Sequence, residues 1–145
     1  MASKLRTVIQ SDRIRCLQGV PLFENCSKRD LRKLASGTRF EQIEAGHILL
    51  AEGSPSSDLY LLIAGTVSVR RNGRRIATLG PGDAVGELGV ILDQARNATV
   101  KAETPVEMLV LDRPALRRAL DDVPGLGWKL LKSVAERLSR SGSEI

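Results

Sequence analysis

Apolar and polar positions change rhythm twice along the chain. Leu5, Val8, Ile9, Cys16 and Leu17 recur at helical spacing between polar residues, which predicts an amphipathic helix over 3–17. Gly19 and Pro21 stop it. Val20-Pro21-Leu22-Phe23 follows as a short apolar knot suited to docking on a core. Ser27 then opens SKRDLRKLA. Its hydroxyl can accept from the backbone N–H near Asp30, and Asp30 can return the bond, a capping-box-like start. Leu31, Leu34 and Ala35 give this second helix its apolar stripe, and Gly37 ends it.

From Thr38 the period becomes alternating. Phe40–Ile43 begins a strand, Glu44-Ala45-Gly46 turns it, and His47–Leu50 is the next. The loop 53–58, Gly-Ser-Pro-Ser-Ser-Asp, separates them from Leu59–Ile63, a strand apolar on both faces. Ala64-Gly65 turns into Val67–Arg70. Asn72-Gly73 then lies before Ile76, Thr78 and Leu79. An Asn-Gly pair between alternating runs is the strongest short hairpin signal, because both turn positions favour φ > 0. A short strand ends at Val85. Ala98–Ala102 and Val106–Leu111 complete roughly eight strands, the last two broken at Pro105. Short strands with frequent turns read as an antiparallel sandwich or barrel. Helical spacing returns at Asp112, with Pro114 early and Leu116, Ala119 and Leu120 on one side. Pro124 breaks that helix. A last one runs from about Pro124 to Ser139 and carries Leu126, Leu130, Leu131, Val134, Ala135 and Leu138.

The expected fold is therefore α+β: an eight-stranded antiparallel β-roll, jelly-roll-like, flanked by N-terminal helices and two C-terminal helices. One domain spans 1–145, with a helical element over 1–37, the roll over 38–111 and the C-terminal helices over 112–140. Composition agrees. Hydrophobic residues are 42 %, enough for a core, and aromatics are 3 %, so that core is aliphatic. No apolar run approaches the roughly 20 residues of a membrane helix. The N-terminus lacks the apolar block of a signal peptide. Cys16 and Cys26 form no CxxC motif, which suits free thiols in a reducing cytoplasm. His47 is the only histidine, so neither a His-based triad nor a multi-histidine metal site has support. The net charge of +5 permits an anionic partner without demanding one. Arg70, Arg71, Arg74 and Arg75 form a cationic knob on the hairpin. It reads first as a solvated turn and second as a contact for nucleic acid or anionic lipid.

The stretch 80–100, GPGDAVGELGVILDQARNATV, stands apart. Gly80, Gly82, Gly86 and Gly89 lie within ten residues, and eight residues lie between Glu87 and Arg96. Gly86 lets a backbone approach a ligand closely. Residues 87–92 are expected to form one short helical turn, whose free N–H groups favour an anion. Glu87 would repel a phosphate and needs a donor such as a sugar hydroxyl or an arginine. Arg96 has the fork that grips phosphate oxygens. Two readings stand on spacing alone. Either Glu87 and Arg96 are a structural ion pair among turn glycines, or they are the two ends of a ribose-phosphate site. The stretch matches neither GxGxxG nor the P-loop, and no lysine follows the glycines.

This stretch resembles the phosphate-binding cassette of the cyclic nucleotide-binding domain family. That family includes catabolite activator protein, regulatory subunits of protein kinase A and cyclic-nucleotide-gated channels. The resembling features are Gly86-Glu87-Leu88-Gly89, Arg96 and Ala98-Thr99-Val100. Outside the cassette they are Pro21-Leu22-Phe23 with the Ser27 helix, Glu52-Gly53, Leu59-Tyr60, Ile63-Ala64-Gly65 and Val67, so that the likeness runs from about 14 to 139. The resemblance implies a non-enzymatic cytoplasmic receptor for a cyclic purine mononucleotide, with no cofactor beyond that ligand. Glu87 would accept from the ribose 2′-OH. Gly86, Leu88 and Gly89 would supply backbone amides and close approach. Arg96 would bind the cyclic phosphate, with backbone N–H groups of Asn97 and Ala98 beside it. Asn97 departs from the Ser, Thr or Ala frequent in the family, at a position associated with the choice of base. cAMP is expected ahead of cGMP. The family's C-terminal helices act as a lid, with Leu116 at the hinge position and Trp128, Leu131 or Val134 as candidate caps over the base. Each of these three reads first as core or interface and second as a cap. An effector protein or domain is expected and direct nucleic-acid binding is not. No helix-turn-helix follows the last helix, so the chain reads as a stand-alone sensor or as the sensor module of a longer protein.

Overall fold

The computed structural model describes residues 10–87, 89–93 and 95–140. Helix α1 spans Gln10–Gln18, so the first part of the helix predicted over 3–17 lies outside the described residues. A 3-10 turn, Pro21–Phe23, buries Leu22 and Phe23 as the apolar knot required. Helix α2, Lys28–Ser36, starts at Ser27 with both capping bonds formed. Asp30 N–H donates to Ser27 Oγ at 3.2 Å and Ser27 N–H to Asp30 Oδ2 at 2.9 Å.

Eight strands follow: β1 Arg39–Ile43, β2 Ile48–Leu50, β3 Asp58–Ala64, β4 Val67–Arg71, β5 Arg74–Leu79, β6 Ala84–Val85, β7 Thr99–Ala102 and β8 Val106–Asp112. They form two antiparallel four-stranded sheets, in the orders β1-β8-β3-β6 and β2-β7-β4-β5. The Asn72-Gly73 turn has φ of 52° and 79°, the left-handed pair that a tight hairpin needs. The fold class is the one that the alternation predicted.

The double-sided apolarity of β3 and β8 now has a cause. Tyr60, Leu62, Met108 and Val110 face the other sheet and form the core of the roll with Val67, Val85 and Val100. Leu59, Leu61, Leu109 and Leu111 point the opposite way and pack under the helices against Leu17, Phe23, Leu34, Leu116 and Leu126. Period-2 geometry puts alternate residues of one strand into two different cores. These two paired strands are thus the wall between roll and helices, and β3 is also the neighbour of β6, which leads into the cassette.

Helix α3, Arg113–Asp122, is capped by Asp112, whose carboxylate accepts from Ala115 N–H at 2.9 Å. Helix α4 spans Leu126–Arg140 and packs on the N-terminal element. Lys129 Nζ reaches Asp30 at 2.5 Å, and Asn25 Nδ2 donates to Ser133 Oγ at 2.9 Å and Glu136 Oε1 at 2.8 Å. The inner stripe of α4 is Leu126, Leu130, Ser133 and half-buried Val134. This selects part of the apolar set that the sequence offered. Leu131, Ala135 and Leu138 lie on the outside, because the contacts to residues 24–30 fix the helix about its axis. No helix among the described residues is long and apolar enough to cross a membrane. Cys16 and Cys26 are free and half-buried. Burial, with the nearby Asp30 charge, pushes the Cys26 thiol up to about 11, so it is protonated at neutral pH.

Candidate functional site

The cassette leaves β6 at Val85, which pairs with Tyr60 on β3. Gly86 follows with φ 83°, a left-handed conformation that turns the chain out of the sheet. Val90 N–H closes the turn on Gly86 O at 3.1 Å, and the Val90 side chain is fully buried among the helical-side leucines. The predicted helical turn over 87–92 is thus a single closed turn beginning at Gly86, and the described residues of 87–93 carry no helix assignment. Leu88 lies outside the described residues.

Arg96 lies beneath this turn. Its Nη2 donates to Asp58 O at 2.9 Å and Ser56 Oγ at 3.2 Å. A Cβ on Gly89 would stand 1.8 Å from Arg96 Nη1, and one on Gly86 would stand 2.9 Å from both terminal nitrogens. The guanidinium occupies the space that side chains at 86 and 89 would fill, so two of the four glycines have a packing reason beyond turning. Burial lowers the affinity of Arg96 for its proton, and the Arg113 charge adds to this against the opposing Tyr60 and Asp58. Its Nε is buried and without a partner among the described residues. A desolvated cation with an unused donor is costly until an acceptor arrives.

Glu87 does not pair with Arg96. Its carboxylate, 15 % exposed, accepts from Arg137 Nη1 of α4 at 2.7 Å. The ion-pair alternative for Glu87 and Arg96 is therefore corrected. Each takes a different partner, because the Arg96 fork is drawn under Gly86 and Gly89 toward the β3 loop. One acceptor site of a carboxylate is filled by Arg137, and others remain for a hydroxyl.

Glu87, Gly86, Gly89, Arg96, Asn97 and Ala98 line one cleft of about 400 Å³. Its far wall is apolar and comes from the second sheet: Leu50, Val69, Leu79 and Val100. The cleft thus has a polar end, with one anion and one cation, and an apolar wall of the kind that a flat ring covers. That volume is within the usual size of a small-molecule site, roughly 300–1,000 Å³. The backbone after Arg96 is held tightly. Gly53 N–H donates to Arg96 O at 2.7 Å, Arg96 N–H to Ser54 O at 2.9 Å, and Arg71 Nε to Asn97 O at 3.0 Å. The cationic knob is partly neutralised, with Arg75 at 3.1 Å and Arg70 at 3.8 Å from Glu103.

Sequence reasoning missed Arg137 and Arg113, which meet the cassette from 50 and more than 20 residues away. No local spacing marks either. The three candidate caps do not line the cleft in this structure. Trp128 and Leu131 are 70 % and 58 % exposed, and Val134 rests half-buried on the helical core. The stripe that docks on the N-terminal element leaves 128 and 131 on the opposite side of α4.

The cyclic nucleotide-binding domain profile matches residues 40–122, and the chain belongs to that family. It is 33 % identical over 105 residues to a cAMP-dependent protein kinase regulatory subunit of Schizosaccharomyces pombe, covering 72 % of this chain and 26 % of that protein. It is 34 % identical over 105 residues to a CRP-like cAMP-activated global transcriptional regulator of Mycobacterium tuberculosis, covering 69 % of this chain and 47 % of the relative. The chain thus spans less than half the length of these curated relatives. A solved structure, the N-terminal domain of a transcriptional regulator from Streptomyces coelicolor, superposes with a TM-score of 0.81 at 30 % identity, covering 90 % of this chain and 96 % of that one.

Proposed function

We propose that the chain is a non-enzymatic receptor for a cyclic purine mononucleotide, with cAMP preferred over cGMP, and that it signals through its flanking helices to an effector. The observation that carries this is Arg96. It is a half-buried cation with an unpartnered Nε, seated under Gly86 and Gly89 at the polar end of a largely apolar cleft. A cyclic phosphate supplies the missing acceptor, and the Arg fork suits its oxygens. Glu87 accepts from the ribose 2′-OH while keeping Arg137. Gly86, Leu88 and Gly89 give backbone amides and close approach, and Asn97 and Ala98 give N–H groups beside the phosphate. The purine lies on the apolar wall of Leu50, Val69, Leu79 and Val100. The preference for cAMP is supported by the two curated relatives, both named for cAMP. Signalling through the helices is supported by the Arg137–Glu87 bond, which joins α4 to the position proposed for the sugar.

Two variants test the assignment by calorimetric titration. Arg96→Ala is expected to weaken cAMP binding by about 1.5–3 kcal/mol, the scale of hydrogen bonds to a charged group. An unchanged affinity would remove the phosphate role. Glu87→Gln is expected to cost less, because an amide oxygen still accepts from a hydroxyl. A loss of binding larger than that of Arg96→Ala, with the fold intact, would remove the sugar role.

A further inference from the structure

Arg113 is the first residue of α3, directly after the capping Asp112. Its side chain does not run along its own helix. It crosses to the cassette, where Nε donates to Val90 O at 3.1 Å and Nη2 to Gly89 O at 3.2 Å and Leu92 O at 2.9 Å. Nη1 pairs with the Asp93 carboxylate. Three carbonyls of the segment 89–92 thus converge on one planar fork. They belong to the segment whose Gly86 and Gly89 lie against the Arg96 guanidinium. Among the described residues, that turn is closed by the backbone bond from Val90 N–H to Gly86 O. A single turn closed by one bond is unfavourable alone, since nucleation fixes several dihedrals for one bond. The burial of Val90 anchors it on one side, and Arg113 satisfies its orphan carbonyls on the other.

We propose that Arg113 is a positioning residue of the ligand site: it holds the carbonyl end of the Gly86–Leu92 turn and ties the position of that turn to the start of α3. The proposal rests on the receptor reading above. A ligand that draws on the turn's amides and on Arg96 shifts or stiffens the turn. The turn's carbonyls move with it, and the guanidinium that binds three of them begins α3. Helix α3 shares its core with α4 through Leu116, Ala119 and Leu126. The Asp93 ion pair is incidental, because that carboxylate is 88 % exposed and surface pairs contribute little. A lysine cannot replace this arginine, since a point charge on a flexible stem does not span three carbonyls.

The test uses the full chain and three variants, titrated with cAMP, with hydrogen exchange of residues 86–92 and 113–122 followed at saturation. In the unaltered chain, ligand is expected to slow exchange in both segments. Arg113→Lys and Arg113→Ala are expected to weaken binding by about 10–100-fold without touching ligand, as loosened support typically does. At saturation they are expected to slow exchange over 86–92 but not over 113–122. Asp93→Ala is expected to stay within about twofold of the unaltered chain. Should Arg113→Ala not fold, Arg113→Lys carries the test. Arg113 variants that bind like the unaltered chain, or that protect α3 as it does when saturated, would overturn the proposal alone. An unaltered chain that binds neither cAMP nor cGMP would instead overturn the receptor reading, and this proposal with it.

Discussion

A methyl group at residue 89 meets the Arg96 guanidinium. The Cβ it adds would lie 1.8 Å from Arg96 Nη1 and 2.4 Å from Cζ, so Gly89→Ala must displace the guanidinium. The expected outcome is a folded protein with cAMP affinity lowered toward that of Arg96→Ala. Unchanged binding by calorimetry would mean that Arg96 is not held where the site needs it. Asp30 gives a second test at this scale. Burial alone would raise its carboxyl, but hydrogen bonds from Lys129 and Ser27 outweigh it and hold the group below its ordinary 3.8. The sign follows from linkage. The stabilisation is full above that ordinary value and is lost as pH falls through the lower, folded-state value. Thermal midpoints are therefore expected to drop in acid more steeply for the unaltered chain than for Asp30→Asn, and parallel curves would contradict this. Glu87 and Arg96 were legible as a pair of special residues because spacing and glycines surround them. Their true partners were not, because Arg137 and Ser56 reach them through tertiary packing that no local pattern encodes.

Strands and turns were the most legible elements. Alternation, Asn72-Gly73 and Pro105 mark them, and each of these signals is local. The apolar run of β3 was legible as a double-sided strand, while the reason for it, two cores, came only with the helices in place. The inner face of α4 was not legible for a physical cause. Its apolar residues spread over about half of its circumference at 100° per residue, so periodicity admits more than one stripe. Asn25, Asp30 and Glu24 choose among them. A paired substitution checks the choice by denaturant unfolding. Leu130→Ala is expected to cost about 2–5 kcal/mol, as for a buried leucine. Leu131→Ala, at 58 % exposure, is expected to stay within about 0.5 kcal/mol. Equal losses would contradict the observed orientation of the helix.

At the scale of the molecule, the roll supplies an apolar wall and the helices pack against the outer face of β3 and β8. The cassette stands between them. Arg96 ties it to the β3 loop, Arg113 to α3, and Glu87 through Arg137 to α4. The resemblance in 80–100 pointed to this place, and the fold explains it: the same turn faces the cleft on one side and the helical core on the other. The account stands most directly on what fills the cleft. Parallel calorimetric titrations of the full chain with cAMP and cGMP measure that. One-to-one binding of both is expected, with cAMP the tighter ligand. No binding of either at millimolar concentration would contradict the receptor reading.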